Sequence, residues 1–498
     1  MSSNRRSFIK TSLLAAAGAA LPARAWTQVL GANADIRVAV IGLNGRGRNH
    51  LTSLAKIPGV RVVALCDADM AVLDKVKPTV NGGNVKIYQD IRELLASPDI
   101  DAVTIATPNH WHSLAAIWAL QAGKDVYLEK PVSHNIWEGR QLVNASRKYG
   151  RVIQAGTQIR SGQGLRDAVA WVQAGNIGKI TASRGFCYKR RDSIGKVSGP
   201  QVVPASINYD LWTGPAPLVA PTRNTRNGPV HYDWHWIYLY GNGDVGNQGI
   251  HQMDVARWFL GEAGLPSHSM SIGGRLGYVD DGQTPNTQVV VHDYKTAPLI
   301  FEVRGLPTKA GVAASGGDPR ALQGGGGSDM DKYRGVDIGN VIDCEGGSVI
   351  VPSYTSATAI DRSGKVLKEF RGSDRHMENF IDVVRSRKTA DLYGPIEEGH
   401  VSSALCHLGN ISHRLGAATP DGVVRETVKG DAMLSEAHGR MVEHLRANNC
   451  DLGSTPLTLG VPLIVDPKAE RFTGSNAARA NAMLTREYRP AFTVPTIA

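Results

Sequence analysis

Three groups of residues in this chain have types and spacings that can do chemistry. The first is a glycine-rich turn, Gly42-Leu43-Asn44-Gly45-Arg46-Gly47. Such a turn between a strand and a helix brings backbone N–H groups close to a pyrophosphate. Gly42 and Gly47 hold the first and third glycine places of a dinucleotide fingerprint, and Asn44 stands at the second. Asp67 closes the next β-branched run, about 20 residues beyond the turn. A carboxylate there can accept hydrogen bonds from adenosine ribose hydroxyls and repels a 2′-phosphate, so NAD is expected in preference to NADP. The second group is Thr107-Pro108-Asn109-His110-Trp111-His112, and the third is Glu129-Lys130-Pro131. Each follows a short apolar run. Two histidines and a lysine at neighbouring strand ends can carry protons and polarise a carbonyl. The expected cofactor contacts are Gly42, Asn44, Gly45, Arg46, Gly47, Asp67, Thr107, Pro108, Asn109, His112, Glu129 and Lys130.

These groups need a scaffold that gathers them, and the surrounding sequence supplies one. Strand-like runs at 35–41, 60–66, 85–88, 102–106 and 125–128 alternate with helix-like stretches. The helices start near Arg48 and Ile91, and one runs from Ser113 to Ala122. This alternation predicts a doubly wound parallel sheet, an α/β Rossmann domain over 35–155, in which ligands sit outside the carboxyl ends of the strands. All three chemical groups fall at such ends. Further on, 180–188, 287–292 and 299–303 read as strands, and Gly311–Gly327 as a surface loop.

The ordered set resembles the family of glucose-fructose oxidoreductase, inositol dehydrogenase and the rhizopine-catabolism oxidoreductases, over about residues 35–420. Its most specific matches are Glu129-Lys130-Pro131 and Gly249-Ile250-His251-Gln252-Met253-Asp254. Asn208–Pro217 and Asn379–Lys388 are similar to the exported branch. The resemblance implies an α+β second domain with a large, mostly antiparallel open sheet, placed here at 156–430, with 431–498 as a C-terminal extension. It implies that the substrate lies between that sheet and the nicotinamide. It casts Lys130 and His251 as catalytic: Lys130 binds the reacting oxygen, and His251 accepts the proton. It brings Gln158 to the cofactor and Arg160 to the substrate. The family often carries an aspartate four residues before the histidine. This chain has Asn247, which can neither accept a proton nor balance an imidazolium charge. No simple Asp–His relay is therefore expected, and Asn247 is read with Trp236 and Asp254 as a substrate contact. Tyr188, Lys189, Arg190 and the aromatic run Trp234-His235-Trp236 are further candidates for the cleft.

Composition narrows the class. The chain has 498 residues, enough for two domains, and a formal charge of +10. The basic residues are scattered, so no nucleic-acid partner is expected. Five widely spaced cysteines suggest neither a disulfide framework nor a metal site, and they read as small buried residues. Residues 1–25 carry Arg5-Arg6, an alanine-rich apolar run and Ala23-Arg24-Ala25, the order of a twin-arginine signal peptide. No later run is long enough for a membrane span. The expected protein is therefore periplasmic or otherwise exported. It is read as an NAD-dependent oxidoreductase that moves a hydride to or from a carbohydrate, holds its cofactor tightly and assembles as an oligomer of identical chains. Two alternatives stand beside it: an NAD-dependent glycoside hydrolase working by transient oxidation, and a carbohydrate-binding protein on a retained Rossmann fold.

Overall fold

The computed structural model describes residues 35–222, 230–308 and 329–498. The signal-peptide reading and the glycine-rich loop 311–327 lie outside the described residues. Six parallel strands form the first sheet: β1 (Ile36–Ile41), β2 (Val60–Cys66), β3 (Lys86–Tyr88), β4 (Ala102–Ile105), β5 (Asp125–Leu128) and β6 (Ile153–Ala155). Their spatial order is β3-β2-β1-β4-β5-β6, with the reversal between β1 and β4 that opens a crevice at the strand ends. Period-two alternation feeds both faces. Val38 and Val40 of β1 enter one core, and Ala39 and Ile41 enter the other.

The connecting helices are α1 (Arg46–Leu54), α2 (Met70–Val76), α3 (Ile91–Leu95), α4 (His112–Gln121) and α5 (Ile136–Tyr149). Helix α5 shows how local chemistry sets its limits. The Asn135 side chain accepts from the Glu138 N–H, and the Glu138 carboxylate accepts from the His134 N–H and from Asn135 Nδ2. This reciprocal cap satisfies donors that a helix start leaves without partners.

The second sheet contains β7 (Ile180–Tyr188), β8 (His268–Gly274), β9 (Thr287–Asp293), β10 (Leu299–Arg304), β11 (Ile338–Cys344), β12 (Gly347–Val351), β13 (Ser356–Asp361) and β14 (Val366–Arg371). It is completed by β15 (Ala417–Thr419), β16 (Leu457–Leu459), β17 (Leu463–Asp466) and β18 (Arg471–Thr473). All pairings are antiparallel except β7 with β10. The remaining α-helices among the described residues are α6 (Gln163–Gln173), α7 (Tyr209–Thr213), α8 (Gly243–Asn247), α9 (Gly249–Leu260), α10 (His376–Ser386), α11 (Ile396–Leu415), α12 (Asp421–Val428), α13 (Ala432–Ala447) and α14 (Ala477–Asn481). Alternation decides what each sheet face carries. Val290, Phe301 and Val303 pack against α9 and α11, while Val289, Val291 and Ile300 pack under α12 and α13.

Two segments run against the sequence order. Helix α10 packs Met377, Phe380, Ile381, Val383 and Val384 into the first sheet's core. Burying side chains of this size stabilises by about 1.5–3 kcal/mol each. The last residues, with Phe492, Val494 and Ile497 buried, pack on the opposite face of the same sheet. The stretch 431–498 thus supplies α13, β16, β17 and β18 to the second domain and then returns to the first.

Candidate active site

A single cleft of about 680 Å³ runs along the carboxyl ends of β1, β2, β4 and β5. Its volume suits a small-molecule cofactor with substrate. At its floor, the chain turns from β1 into α1. Gly42 has φ +85°, and a Cβ there would stand 2.6 Å from the Ala106 carbonyl oxygen. A Cβ on Gly47 would stand 1.9 Å from the Gly42 oxygen. Gly47 therefore serves strand–helix packing and does not line the cleft, which corrects its reading as a cofactor contact. Asn44, Gly45 and Arg46 do line it. No side chain caps the start of α1, and with the Arg48 N–H bonded to the Gly45 oxygen at 3.0 Å it is the N–H groups before Arg48 that are left to a ligand.

Asp67 stands at the end of β2. Its Oδ2 accepts from the Leu43 N–H at 2.7 Å, and its Oδ1 from the Asp69 N–H at 3.1 Å. Burial pushes this carboxyl up, against the pull of those two donors. Thr107 Oγ1 faces the cleft buried, with no hydrogen-bond partner among the described residues. The open helix end, the ribose-side carboxylate and this orphaned hydroxyl fit a dinucleotide.

Glu129 organises the next stretch. Its Oε1 accepts from Arg46 Nε at 2.7 Å, from Gln158 Nε2 at 3.1 Å, and meets His50 Nε2 at 3.0 Å. Burial alone would raise its carboxyl, but the His50 bond and the Arg46 charge outweigh that and hold it well below the usual range. Arg46 and His50 are four apart on α1 and share a face. The four-residue spacing from Arg46 is the one sequence signal that points to His50. Pro108 lines the cleft, and Asn109 donates to Asn242 Oδ1 at 3.1 Å. His112 ties two strand ends together, with Nδ1 2.5 Å from the Pro131 oxygen and Nε2 2.8 Å from the Thr107 oxygen.

Lys130 and His251 meet at the other end of the cleft. The peptide bond between Lys130 and Pro131 is cis. Lys130 Nζ donates to the main-chain oxygen of Asn247 at 2.5 Å, and burial lowers its ammonium below the ordinary value. His251 sits in the first turn of α9. Burial, helped by the Lys130 charge, lowers its imidazole to about 3, so it is neutral at pH 7. Its Nδ1 is buried and has no hydrogen-bond partner among the described residues. Asn247 lines the cleft.

Tyr354 completes this end and had no signal in the sequence. It lies in the hairpin loop between β12 and β13, accepts from Gln248 Nε2 at 3.2 Å, and its ring centre is 5.3 Å from that of His251. Its loop crosses the start of α6 at two glycines. A Cβ on Gly162 or Gly164 would stand 2.6 Å from the Tyr354 or Thr355 carbonyl oxygen. Asp374, Tyr232, Trp234 and His235 also line the cleft.

Three substrate assignments are corrected. Arg160 is buried in a bidentate pair with Asp254, Nε to Oδ2 at 2.8 Å, and its Nη2 reaches Glu398 at 3.0 Å. Arg257 joins the same cluster. Neither Arg160 nor Asp254 lines the cleft; they neutralise each other beneath α9. Trp236 turns into an aromatic core beside Arg191, while its neighbours Trp234 and His235, stacked at 3.7 Å, face the cavity. Tyr188 bonds Glu302 and Arg190 pairs with Asp192, both away from the cleft.

Residues 36–157 match the model of an oxidoreductase family with an NAD-binding Rossmann fold, and residues 166–277 match that family's C-terminal alpha/beta domain. The chain carries both domains of the GFO/IDH/MocA oxidoreductase family. Among curated proteins it is similar to a glycosyl hydrolase family 109 protein of Shewanella pealeana, 30% identical over 207 residues, which is 36% of this chain and 45% of that one. A glycosyl hydrolase family 109 protein 1 of Shewanella sp. (strain ANA-3) is 36% identical over 123 residues, 23% of this chain and 26% of its own. The matches thus span less than half the length of these relatives. Among solved structures, the WlbA dehydrogenase of Chromobacterium violaceum, in complex with NADH and UDP-GlcNAcA, is 17% identical with a TM-score of 0.54, covering 77% of this chain and 95% of that one. An oxidoreductase of Thermotoga maritima is 16% identical with a TM-score of 0.53, covering 76% and 96%. These two share the family's fold.

Proposed function

We propose that this chain is an exported enzyme that holds NAD tightly and uses it to act on a hydroxyl or carbonyl group of a sugar, polyol or glycoside. The observation that carries the reading is the convergence of Lys130 and His251 at one end of a cleft whose other end is Asp67. Bound NAD supplies a reversible hydride acceptor. Gly45, Arg46 and the open end of α1 would hold its pyrophosphate, and Asp67 its ribose. The buried Lys130 ammonium donates to the reacting oxygen and stabilises negative charge there. His251 is neutral and offers a ring nitrogen to the hydroxyl proton. Tyr354, Gln248 and Asn247 present further hydrogen-bonding groups to a polyhydroxylated ring. Asp67 bonds the Asp69 N–H and shares the cleft lining with Asp90, and this gathering of carboxylates disfavours a 2′-phosphate and supports NAD over NADP.

Export and tight binding support each other. An enzyme outside the cytoplasm has no nicotinamide pool to draw on, and a route that carries folded proteins lets the cofactor travel bound. A second reading, glycoside hydrolysis through transient oxidation at the same site, is favoured by the family 109 names of the curated relatives.

Product analysis by NMR on a glycoside panel separates the readings. A keto-sugar formed together with the reduced form of a second carbonyl sugar, which returns the bound cofactor to NAD, marks the oxidoreductase, and free aglycone without net redox change marks the hydrolase. Binding without turnover marks a carbohydrate-binding protein and refutes both. Replacing Arg5 and Arg6 by lysine, followed by cell fractionation, tests the route; unchanged export would refute it.

A further inference from the structure

We propose that the adenosine half of the cofactor is walled in by residues 206–212 and 230–235 of the second domain, and that residues 484–497 strap this wall shut. The proposal rests on the cofactor reading above and names what retains the NAD.

The wall is built onto the loop that follows Asp67. The Met70 N–H donates to the Ser206 oxygen at 2.9 Å, and the Asn208 N–H donates to the Ala68 oxygen at 2.8 Å. Between them Ile207 pairs with Asp69 as an antiparallel bridge. The His231 imidazole stands 3.5 Å from the Asp69 carboxylate. On the far side the Trp111 indole N–H donates to the Leu211 and Trp212 oxygens, both at 3.0 Å. Leu211, Trp212 and His231 line the cleft. Backbone bonds from the second domain thus close both flanks of the crevice where the adenosine lies, a place that the Rossmann strands alone would leave open to water.

The tail grips this wall from outside. Arg486 donates to the Leu239 oxygen at 3.2 Å and the His110 oxygen at 3.0 Å. Arg489 donates to the Asp210 oxygen at 3.0 Å and the Gly214 oxygen at 3.2 Å, and pairs with the Asp210 carboxylate. Beyond them Phe492, Val494 and Ile497 are sunk in the first domain's core. One end of the strap is fixed by burial, and its arginines hold the second-domain segment down. For a nucleotide to leave, these bonds must open together.

The test uses the full chain loaded with NAD, diluted into nucleotide-free buffer, with retained nucleotide measured after acid release. Arg489→Ala and Asp210→Asn break the grip from opposite sides, and neither residue lines the cleft. Arg489→Ala loses the ion pair and both main-chain bonds and should speed NAD loss about tenfold, whereas Asp210→Asn loses only a half-exposed ion pair and should speed it about two- to fivefold. Circular dichroism shows whether each variant is folded, and a folded Asp210→Asn suffices if Arg489→Ala is not. Release at the wild-type rate from a folded variant overturns the strap. A wild-type protein that takes up no NAD refutes the cofactor reading itself, and the enclosure with it.

Discussion

Replacing Glu470 by glutamine should weaken the fold in a pH-dependent way whose size follows from the geometry. Glu470 lies in the turn between β17 and β18. It accepts from Arg140 of α5 at 3.0 and 2.6 Å and meets His400 Nε2 of α11 at 2.9 and 3.1 Å. One carboxylate therefore fastens the C-terminal extension to a helix of each domain. Its side chain is 11% exposed, so solvent screens the pair little. Burial alone would raise its carboxyl, but the Arg140 and His400 bonds outweigh that and lower it from 4.5 to about 2. A carboxyl depressed by folding adds stability that is fully present above its unfolded value and is lost as pH falls toward its folded one. The drop corresponds to about 3 kcal/mol at pH 7. Glutamine keeps the shape without the charge. Urea unfolding followed by tryptophan fluorescence should find Glu470→Gln about 3 kcal/mol less stable at pH 7. The gap should narrow by about 1 kcal/mol at pH 3.5, one unit below the unfolded value. A gap that stays constant between pH 7 and 3.5, or that is absent at pH 7, refutes the reasoning.

Three further outcomes concern the cleft. Lys130→Ala should fold and retain nucleotide but lose about 10²–10³-fold in kcat, the usual cost of one preorganised donor, as read by product formation on the responsive glycoside. Asp67→Ala should weaken NAD binding and narrow the preference over NADP by about tenfold or more, measured by calorimetry with both nucleotides on protein stripped of its cofactor. Tyr354→Phe should lower kcat/KM about 3- to 10-fold with nucleotide content unchanged, consistent with one lost neutral hydrogen bond.

Much of the first domain was legible because its signals are local. Each parallel strand is a short apolar run, and each chemical group follows one directly. Glu129 and Lys130 stand together at the end of β5 for that reason. What the sequence hid depends on partners far along the chain. Arg160 and Asp254 read as substrate contacts because they flank motifs, yet each is the other's counter-charge, 94 positions away. Trp236 faces its own core because the short 3₁₀ turn that carries it points successive side chains in different directions. Tyr354 enters the site from a hairpin whose path is set by Gly162 and Gly164, and no local pattern connects a hairpin tyrosine to a distant helix start. Helix α10 was assigned by its position in sequence to the second domain, but its apolar face fits the first sheet.

That excursion of α10 bears on how the protein is made. The nucleotide-binding sheet leaves the ribosome before α10 and residues 492–497, which pack on its two faces. At typical rates of about 5–20 residues per second, the sheet spends some tens of seconds with apolar surface uncovered. Chaperone demand should therefore fall on this interval. A chain truncated before α10 should aggregate, and residues 36–157 transplanted alone would leave bare the apolar surface that α10 and the tail cover.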